Sequence, residues 1–317
     1  MNDALWIMLK NVMVFVALAI PGYLLVKCKQ LTQAQSGALS KLLMFVGMPF
    51  LILSNSIKIA FDGELLLMIG VVAAIGIAYT FAMFFVSKPL TDMEKQEKTK
   101  GMMRFCAVFS NSGFLGIPLA MAVFGAGSKV LTVVIILNII TNVLMYTLGV
   151  YLVSGDKTAM SLKKAFLNPV LIAFVVGIIV NLLKVHEYVP ELVTYSNHFS
   201  NLVTPISMTI LGMKMGSVNF GTLFKSWKTY YVAALKLIAF PLVIVAFALA
   251  LKMAWSSITM DVIFGIFIAF ATPTAGLAST FSDNYDGDTE NAVAFTLGTT
   301  LLSVVTIPLF YWLITLL

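Results

Sequence analysis

Apolar runs, each near the length needed to cross a lipid bilayer, follow one another from end to end of this 317-residue chain. A hydrocarbon core of about 30 Å takes about 20 apolar residues per helix. In lipid every backbone N–H and C=O must be paired within the chain, which leaves only helices and closed barrels as spanning structures. On that ruler ten spans fall at roughly 4–26, 40–59, 64–87, 101–124, 128–153, 167–184, 199–215, 228–251, 260–284 and 289–316. Only 11% of the residues are charged, against about 25% in soluble domains. The expected fold is therefore an all-α polytopic membrane protein without a soluble block. The first run follows Asp3 and lacks a basic leader or a small-residue cleavage site, so a retained span is expected.

The net charge of +6 invites a nucleic-acid partner, but the distribution excludes one: Arg104 is the sole arginine and the lysines punctuate apolar runs. Lys27, Lys29 and Lys41 share one set of alternate loops with Lys88, Lys95, Lys98, Lys100, Arg104, Lys157, Lys163, Lys164, Lys214, Lys225 and Lys228. The opposite loops hold Lys58, Lys129, Lys184 and Lys252, with Asp62, Glu64, Glu187 and Asp261 nearby. The positive-inside rule makes the first set cytoplasmic and puts both termini outside a cell membrane. Asp92 to Lys100 is the longest polar loop and is expected to be a solvated, flexible linker.

Two polar stretches interrupt the fourth and ninth spans at matching places: Ser110–Pro118 and Ala271–Gly276. Unwound backbone inside a bilayer must line a cavity or a ligand, so paired breaks point to a transporter's substrate site. Five spans per half is an odd number, so the halves, 1–153 and 167–317, are expected to be inverted repeats whose broken helices 4 and 9 cross. Pro49 and Pro205 occupy matching spans, and Ser128 and Asp288 read as N-caps after the two breaks. Gly113, Gly116 and Gly276 allow close chain approach. Pro118 and Pro273 suit the first position of a half-helix, which puts one new start near Ile117–Pro118. Two converging helix N-termini would favour a carboxylate, with Asn111, Ser112, Thr272 and Thr274 adding side-chain hydrogen bonds.

Lys236 lies deep in the eighth span before Pro241. A mid-span lysine costs roughly 2.5–3.5 kcal/mol on insertion scales. Either it attracts an anionic substrate, or it snorkels to the cytoplasmic surface. Asn138, Thr141 and Asn142 share one face of the fifth span, and Thr296, Thr299, Thr300 and Ser303 mark the tenth. The favoured reading is hydrogen bonding between helices, with Asn138 and Asn142 kept as candidate substrate contacts. Cys28 and Cys106 are isolated thiols, and His186 and His198 are the two histidines. No metal site or cofactor is therefore expected. Absence of GxxxxGK[ST], HExxH and GxSxG argues against ATP as energy source and against an enzyme.

The segment Asn111-Ser112-Gly113-Phe114-Leu115-Gly116-Ile117-Pro118-Leu119 resembles the signature of the auxin efflux carrier family, whose bacterial members include malate and related organic-acid permeases. Asn168-Pro169, Pro205 with Leu211-Gly212, and the Ala271–Gly276 break leading into Tyr285-Asp286-Gly287-Asp288 are similar too. The resemblance implies ten helices in two inverted repeats, a fold shared with bile-acid sodium symporters. Helices 1, 2, 6 and 7 would form a scaffold, through which the resemblance implies a homodimer, and helices 3–5 and 8–10 a transport domain. It maps the family's crossover onto Asn111–Pro118 and Thr272–Gly276. Plant members carry a long loop after span five, where this chain has only Ser154 to Phe166.

The expected function is secondary active or facilitative transport of small organic anions, malate-like carboxylates, by alternating access. Alternatives are a sodium-coupled organic-anion symporter, a non-transporting ligand sensor and a channel. Coupling to Na⁺ or H⁺ is left open by the residues.

Overall fold

The computed structural model describes residues 3–58, 63–217, 225–255 and 258–316. Asp62 lies outside the described residues, as do the side chains of Lys58 and Glu64. Thirteen helices position the site: α1 (Asp3–Lys27), α2 (Ser36–Ile57), α3 (Gly63–Thr91), α4 (Glu97–Val108), α5 (Ser112–Phe124), α6 (Lys129–Ser154), α7 (Pro169–Leu182), α8 (Glu191–Ser200), α9 (Val203–Ser217), α10 (Trp227–Met253), α11 (Met260–Ala271), α12 (Ala278–Asn284) and α13 (Thr289–Thr315). Among the described residues no strand occurs, and seven helices are long and apolar enough to cross a membrane.

The remaining expected crossings are the informative ones. The fourth and ninth spans are each split, into α4 and α5 and into α11 and α12. The seventh is preceded by a separate helix, α8, and α9 itself has only 15 residues.

The packing repeats across the two halves. Helix α1 lies along α9, and α7 lies along α2; α3 packs on α4 and α6, as α10 packs on α11 and α13. The halves interlock where α6 meets α11 and α4 meets α13. Exchanging each helix for its counterpart five spans away maps this set of contacts onto itself. Glycine sets the closest approaches. A Cβ on Gly212 would lie 1.8 Å from the Ala19 carbonyl oxygen, and one on Gly22 would lie 2.0 Å from that of Thr209. At the counterpart contact, a Cβ on Gly177 would meet Ser56 Cβ at 2.6 Å.

Three of the four wide π turns among the described residues precede a proline by the same interval: Leu43–Gly47 before Pro49, Ser112–Gly116 before Pro118, and Leu235–Ala239 before Pro241. Proline lacks an N–H and its ring clashes with the carbonyl four residues back. A π turn relieves that clash, and such turns mark functional segments often. Pro118 therefore sits inside α5, and the half-helix begins at Ser112, a full turn before the expected start.

Ser128 and Asp288 cap α6 and α13 as expected, accepting from Leu131 N at 3.2 Å and Asn291 N at 3.1 Å. The Asp92–Lys100 loop is not a free linker. Glu94 pairs with Lys228 at 2.5 Å, Lys98 with Asp286 at 2.7 Å, and α4 already starts at Glu97. Its charges find opposite partners on α10 and on the α12–α13 hairpin, which the chain order alone does not bring near. The hydroxyls of Thr141, Thr296, Thr300 and Ser303 bond carbonyls of their own helices. Within one helix the preceding turn always offers an acceptor, so most of this set does not bridge helices.

Candidate functional site

Helix α4 ends at Val108 and α11 at Ala271, and the extended residues that follow run antiparallel to each other. Asn111 N–H donates to the Pro273 carbonyl at 2.7 Å, and Ala275 N–H donates to the Phe109 carbonyl at 3.0 Å. Each break thus meets the other's exposed backbone, which no helix could pair. Pro273 lies in this ladder as an acceptor, not at a helix start. A proline there needs no N–H of its own.

Hydroxyls complete the crossing. Ser110 Oγ donates to the Phe270 carbonyl at 3.2 Å and Thr274 Oγ1 donates to that of Cys106 at 2.8 Å. These carbonyls belong to the last turns of α11 and α4, where intrahelical donors run out. Thr274 N–H in turn donates to Thr299 Oγ1 of α13 at 3.2 Å. Thr272 stays on its own helix, donating to the Ala269 carbonyl at 3.3 Å.

A small cavity of about 40 Å³ opens beside the crossing, bordered by Ser110, Asn111 and Gly113 of the first break and Gly276 of the second. Asn138 and Asn142 of α6 and Met44 and Met48 of α2 also line it. The buried Asn138 Oδ1 accepts from Ser112 Oγ and from Asn142 Nδ2, each at 3.1 Å. With its oxygen so engaged, the amide nitrogen of Asn138 has no partner among the described residues. A buried donor left unpaired costs about 1–3 kcal/mol. Close packing preserves this geometry: a Cβ on Gly113 would sit 3.0 Å from Asn138 Oδ1, and one on Gly276 would sit 3.2 Å from Phe114. Gly116 is less constrained, with Thr272 Cγ2 at 3.4 Å from its would-be Cβ.

Two lysines reach the crossing. Lys236 does not snorkel; it is 1% exposed, inside the Leu235–Ala239 π turn, and its ammonium donates to Ser110 Oγ. Lys214, counted by sequence among loop cations, occupies the last turn of α9 and donates to the Gly276 carbonyl at 2.8 Å. The loop assignment fails because the helix runs on to Ser217, and its last turn carries the Lys214 ammonium to the second break. Among the described residues no carboxylate lies within ion-pair distance of either lysine. The first break also opens α5, whose N-terminal N–H groups add partial positive charge. Its counterpart α12 has only seven residues, so of the two expected helix N-termini one opens a longer helix and the other a short one.

The structure therefore brings together Asn111, Gly113, Asn138, Asn142 and Gly276 at the cavity, with Ser112 buried beside it on Asn138 and with Thr272, Pro273 and Thr274 building the crossing. Lys236 stands at the crossing through Ser110. Pro118 lies a turn and a half along α5, away from the cavity wall. Sequence reasoning missed Lys214 as a site residue and Ser110 as the link to Lys236. The available signal for Lys214 was its place directly after the apolar Ile210–Met213 run.

Comparison with known proteins follows the internal repetition. A family model described as a membrane transport protein matches the chain twice, over residues 6–161 and 154–311. A protein of Methanothermobacter thermautotrophicus named as an uncharacterized transporter is 27% identical over 308 residues, covering 95% of this chain and 96% of that one.

Proposed function

As the chain belongs to the membrane transport protein family, the auxin efflux carrier group that its crossover motif resembles, it is a multi-pass membrane transporter, and we propose that its cargo is a small organic anion, a malate-like carboxylate. The observation that carries this reading is the unpaired Asn138 amide nitrogen beside the opening turn of α5, in a cavity whose wall residues Ser110 and Gly276 are bonded by Lys236 and Lys214, neither of which has a carboxylate within ion-pair distance among the described residues. A carboxylate supplies what that arrangement lacks. It accepts from the Asn138 amide and from free N–H groups of α5, and charge-assisted bonds of this kind offset its desolvation.

In this reading the carrier works by alternating access, with the α1–α9 and α2–α7 pairs as a static frame. The crossed breaks move as a body with α3, α6, α10 and α13. The basic loops face the cytoplasm of a cell and both termini face outside. The cavity shares its end of the molecule with Asn168, which follows Lys163 and Lys164, so it would open inward in this state.

Purified protein in proteoliposomes preloaded with unlabelled malate tests the proposal by counterflow of labelled malate. Wild type should accumulate label saturably, and Asn111→Ala should lose at least about tenfold of that rate while inserting normally. Repeating the assay with and without a sodium gradient separates a sodium-coupled symporter from an uncoupled or proton-coupled carrier. Binding without counterflow would instead identify a sensor.

A further inference from the structure

Nearly every polar group at the cavity belongs to the crossing helices or to α6. Lys214 is different. It stands on α9, which packs lengthwise on α1 and also on α2, yet its ammonium bonds a carbonyl of the second break. Gly276 precedes the short α12 in a stretch without helical hydrogen bonds, so its carbonyl needs an outside donor.

The partners are unequal. A neutral carbonyl satisfies one of the three ammonium hydrogens and leaves the charge unneutralised. A carboxylate adds to the hydrogen bond the attraction of an opposite full charge, which a neutral carbonyl does not supply. Any carboxylate entering the cavity beside Gly276 therefore competes favourably for Lys214. A second side-chain bond from the α1–α2–α7–α9 frame reaches the turn after α5, where Asn55 Oδ1 accepts from Gly127 N–H at 3.2 Å. Asn55 offers no charge for a substrate to capture.

We propose that Lys214 is a substrate-exchanged tether: with the cavity empty it holds the second break to α9, and a bound carboxylate takes over its ammonium and frees the Gly276 carbonyl. Substrate binding and release of the moving body are then one event. This rests on the reading of the cavity as a carboxylate site, and it makes Lys214 both a selectivity residue and the element that restrains an empty carrier.

The test is amide hydrogen exchange across residues 272–280, measured on the full chain in lipid nanodiscs, with malate counterflow run in parallel. Without malate, Lys214→Gln should exchange at least about tenfold faster than wild type in this segment, while Lys214→Arg, which keeps a charged donor, stays near wild type. Saturating malate should accelerate exchange in wild type and leave Lys214→Gln unchanged, and Lys214→Gln should raise the malate KM about tenfold or more. The wild-type response to malate requires no variant, so misfolding of Lys214→Gln would not shield the idea. Malate counterflow by wild type with no change in its exchange overturns the tether, as does an empty-state rate in folded Lys214→Gln equal to wild type. If wild type carries no carboxylate at all, the reading of the cavity falls first, and the tether falls with it.

Discussion

Ser110 and Thr274 stand opposite each other in the crossing, and each lends its hydroxyl to the carbonyl four residues before the other, Phe270 and Cys106. This reciprocity ties the end of α4 to the second break and the end of α11 to the first. Removing either hydroxyl leaves a buried carbonyl without its donor, which costs about 1–3 kcal/mol. Ser110→Ala and Thr274→Val should each lower the thermal unfolding midpoint in detergent. Because the two sites are in contact, the double variant should depart from additivity by about 0.5 kcal/mol or more. Strict additivity would show that the two bonds act independently.

Lys236 is buried, and among the described residues no carboxylate lies within ion-pair distance of it. Lys236→Met keeps most of the side-chain volume and removes that burden. Membrane insertion should be as good as wild type or better, because the lysine costs roughly 2.5–3.5 kcal/mol at mid-span. Transport should fall at least about tenfold. Poor insertion with retained specific activity would mean that Lys236 serves folding and not the cargo.

The α1–α9 contact depends on Gly212. Its would-be Cβ falls 1.8 Å from a backbone oxygen, so no rotamer change relieves the clash. Overpacking typically costs about 1–3 kcal/mol, and a backbone collision lies at the upper end. Gly212→Val should reduce the monodisperse fraction on size exclusion and lower the unfolding midpoint. Gly37→Val, with nothing within 4 Å of its would-be Cβ, is the matched control and should behave as wild type.

Two carboxyls at the loop end make stability pH-dependent. The Lys228 hydrogen bond holds Glu94 below its ordinary value of 4.5. Burial raises Asp288, but hydrogen bonds from Thr99 and Asn291 outweigh it and leave that carboxyl lowered. A group with a depressed folded pKa contributes stability above its unfolded value and loses it as pH falls through the folded one. Unfolding midpoints should therefore decline as pH drops below about 4.5, the ordinary value for Glu94. Glu94→Gln should flatten part of that decline, and an unchanged profile would remove Glu94 from the explanation.

Much of this arrangement was legible in the chain itself. The breaks at Asn111 and Pro273 were readable because glycine, proline and hydroxyl residues inside apolar runs have few other uses. Ser128 and Asp288 were readable as caps because each follows a glycine-containing turn and opens an apolar helix. What the sequence hid was which groups share space. Lys214 counts as a loop cation until the fold turns the last turn of α9 toward Gly276. Lys236 left two readings open until its reach to Ser110 was known. The charges of Asp92–Lys100 read as solvated because Lys228 and Asp286, their partners, are more than a hundred residues away. The half-helix start at Ser112 was displaced because a π turn, which has no sequence rule as firm as that for proline, carries the helix past Pro118.

The central claim is that the crossed breaks and the idle Asn138 amide together hold a carboxylate. The most direct test is counterflow of labelled malate in proteoliposomes with wild type and Asn138→Leu, a substitution of similar size without a donor. The account predicts saturable counterflow for wild type and a loss of at least about tenfold for Asn138→Leu at equal insertion. Equal counterflow by the two proteins, or none by wild type for any small carboxylate, would contradict it.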